Sequence, residues 1–216
     1  ENKALRERIA TLEDELRKTD ELKAENERLR TLLELKEKYP EREIRFKDSK
    51  LISMGAGLVV YYGALKYKEG ATMDEMDAYL DTLIPSVATY FVVDDLTYLH
   101  RGGRVSGTSK VVGNMLGIKP ILYFNEEGKI LNINKVKGFR KALSTLVDYV
   151  AQKGTELDKY KTFVLHADNE ETAKGFAASL KEKFGDIDIE IQMVGPVIGS
   201  HCGPGLVGLV FHAKEK

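Results

Sequence analysis

Apolar residues over positions 1–38 recur at a spacing that the rest of the chain does not share. Leu5, Ile9, Leu12 and Leu16 alternate steps of four and three, the d and a positions of a heptad. The pattern then slips. Leu22, Asn26, Leu29 and Leu33 resume it with the d position moved by three residues, a stammer that overwinds a coiled coil locally. No glycine or proline precedes Pro40, and almost every residue is a good helix former. One long helix is therefore predicted, ended by Tyr39-Pro40, because proline pushes the residue before it out of the helical region. Asn26 falls at an a position, where a buried amide favours a defined register. Two readings stand: a parallel coiled-coil homodimer through residues 3–35, or an amphipathic helix packed on its own domain.

From Ile44 the period changes. Residues 43–70 read as a short strand leading into Asp48, a Ser/Gly turn, then a helix ended near Gly70. Thr72, with Glu75 three positions on, predicts a capping box for a helix over 73–87. Residues 89–96 read as a buried strand, and 116–136 as two strands joined by a turn at Glu126-Glu127-Gly128. Helix over 138–154, strand over 161–168, helix over 171–185, strand over 187–195 and a final strand over 205–214 follow. Strands alternating with helices make the fold class α/β, with an α+β second part. No internal repeat stands out.

Composition narrows the function classes. The chain has 216 residues, 43% of them hydrophobic, enough for a real core. A net charge of -1 gives no global attraction to nucleic acid or to anionic lipid. A single cysteine excludes an intramolecular disulfide framework. No stretch approaches the ~20 apolar residues that span a bilayer, and no signal peptide is visible. A cytoplasmic protein is the default expectation.

Candidate chemistry concentrates in three stretches. Gly55-x-Gly57 lacks the third glycine of a dinucleotide fingerprint, since position 60 is valine. Ser53 opens a helix between a turn and these glycines, where free N–H groups and the helix dipole favour an anion such as a carboxylate. An N-cap serine without a ligand is the other reading. Asp94 and Asp95, adjacent on a strand, would face opposite ways, so no metal site is expected. Gly102-Gly103 marks a helix end. Arg104 then lies on a loop with Ser106, Thr108 and Lys110, which either meets a phosphate or an acidic partner or is simply solvated. In "GSHCGPGLVG", Gly203-Pro204-Gly205 cannot propagate a helix. His201 and Cys202, neighbours in an extended loop, would face apart and make a poor proton-transfer pair. No serine elbow, P-loop or zinc spacing appears, so no catalytic or metal residue is expected. His166 and His212 close strands and read as structural or exposed.

Four stretches, "KDSKLISMGAG", "FVVDDLTYLHRGGRVSG", "LGIKPIL" and "VGPVIGSHCGPGLVGLVF", together resemble the DegV family of bacterial fatty-acid-binding proteins, in the family's order across residues 47–212. The resemblance implies a two-domain α/β protein with an acyl chain buried between the domains. It implies no cofactor, only a long-chain fatty acid as ligand, whose carboxylate is presented to a separate fatty acid kinase. Ser53 matches the serine that hydrogen-bonds the carboxylate, with Gly55 beside it, and His201 the histidine at the carboxylate end. Arg104 matches the family's Gly-Gly-Arg. Lys137 stands where the pattern has arginine, which puts a phosphate- or partner-facing role there in question. The family places a Rossmann-like sheet ahead of the "DSK" motif, where this chain has its long helix. The expected organisation is thus a coiled-coil helix over 1–43, a partial Rossmann-like domain over 44–106 with an open strand edge, and a mixed α/β domain over 107–216. The stretch "ELKAENERLRTLLELKEKYPE" is also similar to the coiled coil of the bacterial rod-shape protein MreC. Fatty-acid binding is the leading expectation. The alternatives are an oligomerisation scaffold whose remaining domain binds nothing, and an enzyme using His201 and Cys202.

Overall fold

An unbroken run of helix formers gives an unbroken helix. In the computed structural model, which describes residues 2–103 and 117–215, α1 spans Asn2–Lys38. It belongs to a unit of its own, Glu1–Phe46. At ~1.5 Å per residue it is about 55 Å long. Surface pairs such as Arg28–Glu25 (2.8 Å) lie along it, each worth a few tenths of a kcal/mol. Its heptad residues Leu5, Ile9, Leu12, Leu16, Leu22, Leu29 and Leu33 are all exposed.

The second unit, Lys47–Lys216, is a mixed α/β fold. In chain order it contains α2 (Ser53–Lys68), α3 (Met73–Ser86), β1 (Val87–Val92), α4 (Thr97–Arg101), β2 (Ile118–Phe124) and β3 (Ile130–Lys137). Then come α5 (Phe139–Lys153), β4 (Thr162–His166), α6 (Glu170–Phe184), β5 (Ile189–Met193), α7 (Pro196–Cys202) and β6 (Val207–His212). The strands form one sheet in the order β3-β2-β1-β6-β4-β5. Only β4 and β5 run parallel; every other pair is antiparallel.

Period-two alternation gives the sheet two cores. On one face Val87, Phe91, Leu122, Phe163 and Val210 pack with Leu58 of α2, Leu83 of α3, Leu99 of α4 and Cys202 of α7. On the other, Tyr90, Val92, Val164 and Leu209 pack with Leu146 of α5 and Phe176 of α6. The central strands β1, β6 and β4 are buried on both faces, hence their nearly continuous apolar sequences. Helix α3 starts with the expected capping box: the Glu75 amide donates to Thr72 Oγ1 (3.3 Å), and the Thr72 amide to Glu75 Oε2 (2.8 Å).

Two expectations are corrected, and a third falls outside the described residues. Residues 43–52 form no strand; a strand exists only by pairing, and none of the described strands pairs with them. The boundary expected between 106 and 107 lies outside the described residues; β1, before it, and β2, after it, pair in one sheet. A Rossmann-like portion over 44–106 is likewise absent among the described residues, since the strand there, β1, is antiparallel to both neighbours.

Candidate functional site

Strand registers bring the motifs to one end of the sheet. Val92 pairs with Ile121 and with Val207, while His166 pairs with Val207 and with Met193. The C-terminal ends of β1, β4 and β5 and the N-terminal ends of β2 and β6 therefore share a rim. Helix α4 leaves β1 there, and α7 leaves β5 there.

The glycine-rich stretch and the β1–α4 segment interlock at this rim. Pro196 fits the first turn of α7, where its missing N–H costs nothing. Gly203 ends the helix at φ 76°, a left-handed conformation that glycine alone adopts without strain. A side chain on Gly203 would overlap the Tyr98 ring, and one on Gly102 would overlap His201 Nδ1. On Gly205 an added Cβ would sit 2.9 Å from Asp94 Cβ. Glycine is needed because α4 and α7 touch without space for side chains between them. The loop is also tied to the end of β4: the Gly205 amide donates to the Ala167 carbonyl (2.8 Å), and Asn169 Nδ2 to the Gly205 carbonyl (3.1 Å).

Here the structure corrects the expected extended loop. His201 and Cys202 occupy the last turn of α7, so they diverge by about 100° around a helix axis. His201 packs on Gly102, half-buried, with no hydrogen-bond partner among the described residues. Cys202 turns into the core, where burial pushes its thiol up to about 11. Such a thiol is a poor nucleophile at neutral pH.

Asp94 and Asp95 lie in the β1–α4 connection and not on the strand. Lys119 Nζ donates to the Asp94 carbonyl (2.8 Å) and pairs with its carboxylate. Asp95 accepts from the Thr97 amide (2.9 Å) and hydroxyl (2.7 Å), which hold its carboxyl below the usual range. Both carboxylates are committed to structure. Among the described residues no group of three or more His, Cys, Asp or Glu side chains could hold a metal ion.

Ser53 opens α2 on the sheet face that carries α4 and α7. Leu51 and Met54 share one apolar cluster with Leu99, Ile198 and Cys202. The Ser53 backbone is at φ 52°, a left-handed value that is strained for a residue with a Cβ. Its hydroxyl makes no hydrogen bond among the described residues. The first helical turn is anchored by Gly55 and Ala56 amides donating to the Ile52 carbonyl, at 3.1 and 3.4 Å. Gly55 lies against Thr89 of β1.

The helices that carry Ser53, Gly55 and His201 thus lie on one face of the sheet. Lys137 is exposed at the end of β3, paired in register with Ile118, at the same rim. Arg104 lies outside the described residues. His166 and His212 are buried, the first with its Nδ1 accepting from the Asn169 amide (3.4 Å), the second stacked on Tyr160. A groove of about 860 Å³ between α5 and α6 lies on the opposite face and is lined by none of the motif residues. Sequence reasoning passed over Thr89 and Tyr98. Thr89 carried a signal, a hydroxyl on the apolar face of "VATYFVV"; Tyr98 carried none.

The chain belongs to the DegV family: the model of that family, described as one of uncharacterised proteins, matches residues 29–214. A DegV domain-containing protein of Clostridium perfringens is 37% identical over 183 residues, 85% of this chain and 63% of the relative. The chain thus spans less than two thirds of that relative's length. Among solved structures it is similar to a fatty-acid-binding DegV family protein of Streptococcus agalactiae (33% identity, TM-score 0.75), over 86% of this chain and 65% of the other. A DegV family protein of Ruminococcus gnavus, solved with vaccenic acid, matches at 28% identity and TM-score 0.74, over 81% and 62% of the two chains.

Proposed function

We propose that this chain binds one long-chain fatty acid, with the carboxylate at the first turn of α2 on the Ser53 hydroxyl and His201 at the head-group end. The observation that carries the reading is Ser53 itself: a strained residue with an unpartnered hydroxyl at a helix N-terminus. Strain of this kind clusters at functional sites, and the N-terminus of a 16-residue helix favours an anion. The fatty-acid-binding S. agalactiae protein and the R. gnavus protein with vaccenic acid supply the ligand class. Burying about sixteen methylenes yields about 13 kcal/mol of gross transfer free energy, at ~0.8 per CH₂. An unpaired buried carboxylate would cost several kcal/mol, which a serine, backbone amides and an imidazole offset.

On this reading the protein is a cytoplasmic carrier, not an enzyme, and presents the acid to a fatty acid kinase. Arg104 and Lys137 are the candidate partner-facing residues. A second element of the reading is a homodimer through residues 3–35, supported by the exposed heptad side chains of α1. Lipid extracted from the bacterially expressed chain and weighed by mass spectrometry tests the proposal. A stoichiometric C16–C18 acid is expected in the wild type and little in Ser53→Ala. Equal, substantial lipid in both would place the site elsewhere. A folded chain empty of lipid in both would favour the scaffold reading.

A further inference from the structure

Strand β1 turns Val87, Thr89 and Phe91 toward α2, and the middle one is polar. Thr89 is 7% exposed, and its Oγ1 is buried with no hydrogen-bond partner. Buried hydroxyls nearly always find a partner, because an orphan forfeits its hydration for nothing. Valine has the same shape and would satisfy this core position without that loss. The hydroxyl therefore calls for another explanation.

Its direction supplies one. The Cβ of a helical residue tilts toward the helix N-terminus. A Cβ built on Gly55 would come within 3.0 Å of Thr89 Oγ1 and 3.4 Å of Leu51 Cβ. The hydroxyl is therefore aimed beneath the opening turn of α2, at the level of Ser53. The Ser53 and Met54 amides there have no backbone acceptor among the described residues. Glycine at 55 leaves a notch, and any side chain would fill it and press on the threonine oxygen.

We propose that the Thr89 hydroxyl is a further hydrogen-bond donor of the head-group site, reaching a carboxylate at the first turn of α2 through the notch at Gly55. The inference rests on the fatty-acid reading above. An ionised carboxylate only accepts hydrogen bonds. Thr89 would donate from the sheet side, while the Ser53 hydroxyl and the helix amides donate from the helix side. The orphan oxygen is then a group prepaired for a ligand, and its cost falls on the unliganded protein alone.

Vaccenic acid titrated into the delipidated full chain tests this, with Thr89→Val, Thr89→Ser and Ser53→Ala beside the wild type. Thr89→Val should bind about tenfold more weakly, the usual loss for a hydrogen bond to a charged group. Thr89→Ser, which keeps the hydroxyl, should stay within about twofold on the same scale. Without ligand, Thr89→Val should melt no lower than the wild type. Undiminished binding by Thr89→Val, with Ser53→Ala weakened, would overturn this inference and leave the fatty-acid reading standing. A lower melting point for ligand-free Thr89→Val would also overturn it, by giving the hydroxyl a structural role. Binding that no variant alters, or that the wild type lacks, would remove both. Gly55→Ala puts the same question with the hydroxyl in place: weakened binding supports the notch, and unchanged binding overturns it.

Discussion

Ser53 joins a strained backbone to a hydroxyl without a partner among the described residues. Its left-handed φ of 52° is one that glycine adopts freely. Ser53→Gly and Ser53→Ala both delete the hydroxyl, but only glycine releases the strain. Ser53→Gly should therefore be about 1 kcal/mol more stable than Ser53→Ala in chemical denaturation, while both lose bound lipid. Equal stabilities would mean that the serine is unstrained. Cys202 offers a second prediction. Burial raises its thiol from 9.0 to about 11. The folded pKa is the higher one, so the folded chain holds the proton more tightly. The stability this contributes is complete below about pH 9 and disappears as pH climbs through about 11. The stability gap between wild type and Cys202→Ala should narrow over that window, and a gap independent of pH would contradict burial of the thiol. At this scale the sequence singled out Ser53 and His201 as candidates through their neighbouring glycines. The Thr89 contact was hidden, because it depends on which face of β1 meets α2.

Elements with a strong local signal were legible, and those defined by partners were not. Helix α1 follows from its uninterrupted helix formers, and the Thr72–Glu75 box from two residues. Thr72→Ala should cost about 1 kcal/mol, lowering the melting temperature by about 2–4 °C; an unchanged melting curve would show the box to be idle. Helix α7 escaped notice because its glycines and histidine disguise it, although Pro196 at its start and Gly203 past its end are proper boundary signals. The strand expected at 44–48 failed for the opposite reason, since strand propensity without a neighbour makes no strand. For α1, sedimentation equilibrium should give twice the 24.2 kDa chain mass, and Leu16→Glu with Leu29→Glu should return the monomer. A wild-type monomer at micromolar concentrations would rule out pairing through residues 3–35.

For the sheet unit as a whole, local patterns supplied the strands but not their order. Residues 87–92 pair with 207–212, a closure across most of the unit that no short window records. That pairing places α4 beside α7 and so makes the rim. Amide exchange should register it: vaccenic acid is expected to slow exchange across 96–103 and 196–206 together and to leave α5 and α6, on the far face, unchanged. Protection appearing instead along α5 and α6 would move the ligand to the groove between them.

The contact between Gly102 and His201 also bears on how the site is inherited. Gly102 has an ordinary helical φ of −74°, so its own backbone would accept alanine, and the nearest obstacle to the methyl group is the imidazole across from it. What position 102 tolerates is therefore decided at position 201. A lineage that lost His201 would be free to drift at 102. Once alanine was fixed there, histidine could not return to 201 without passing through a clashing intermediate. Loss of His201 is easy to make and hard to reverse, an evolutionary ratchet set by the space of one methyl group.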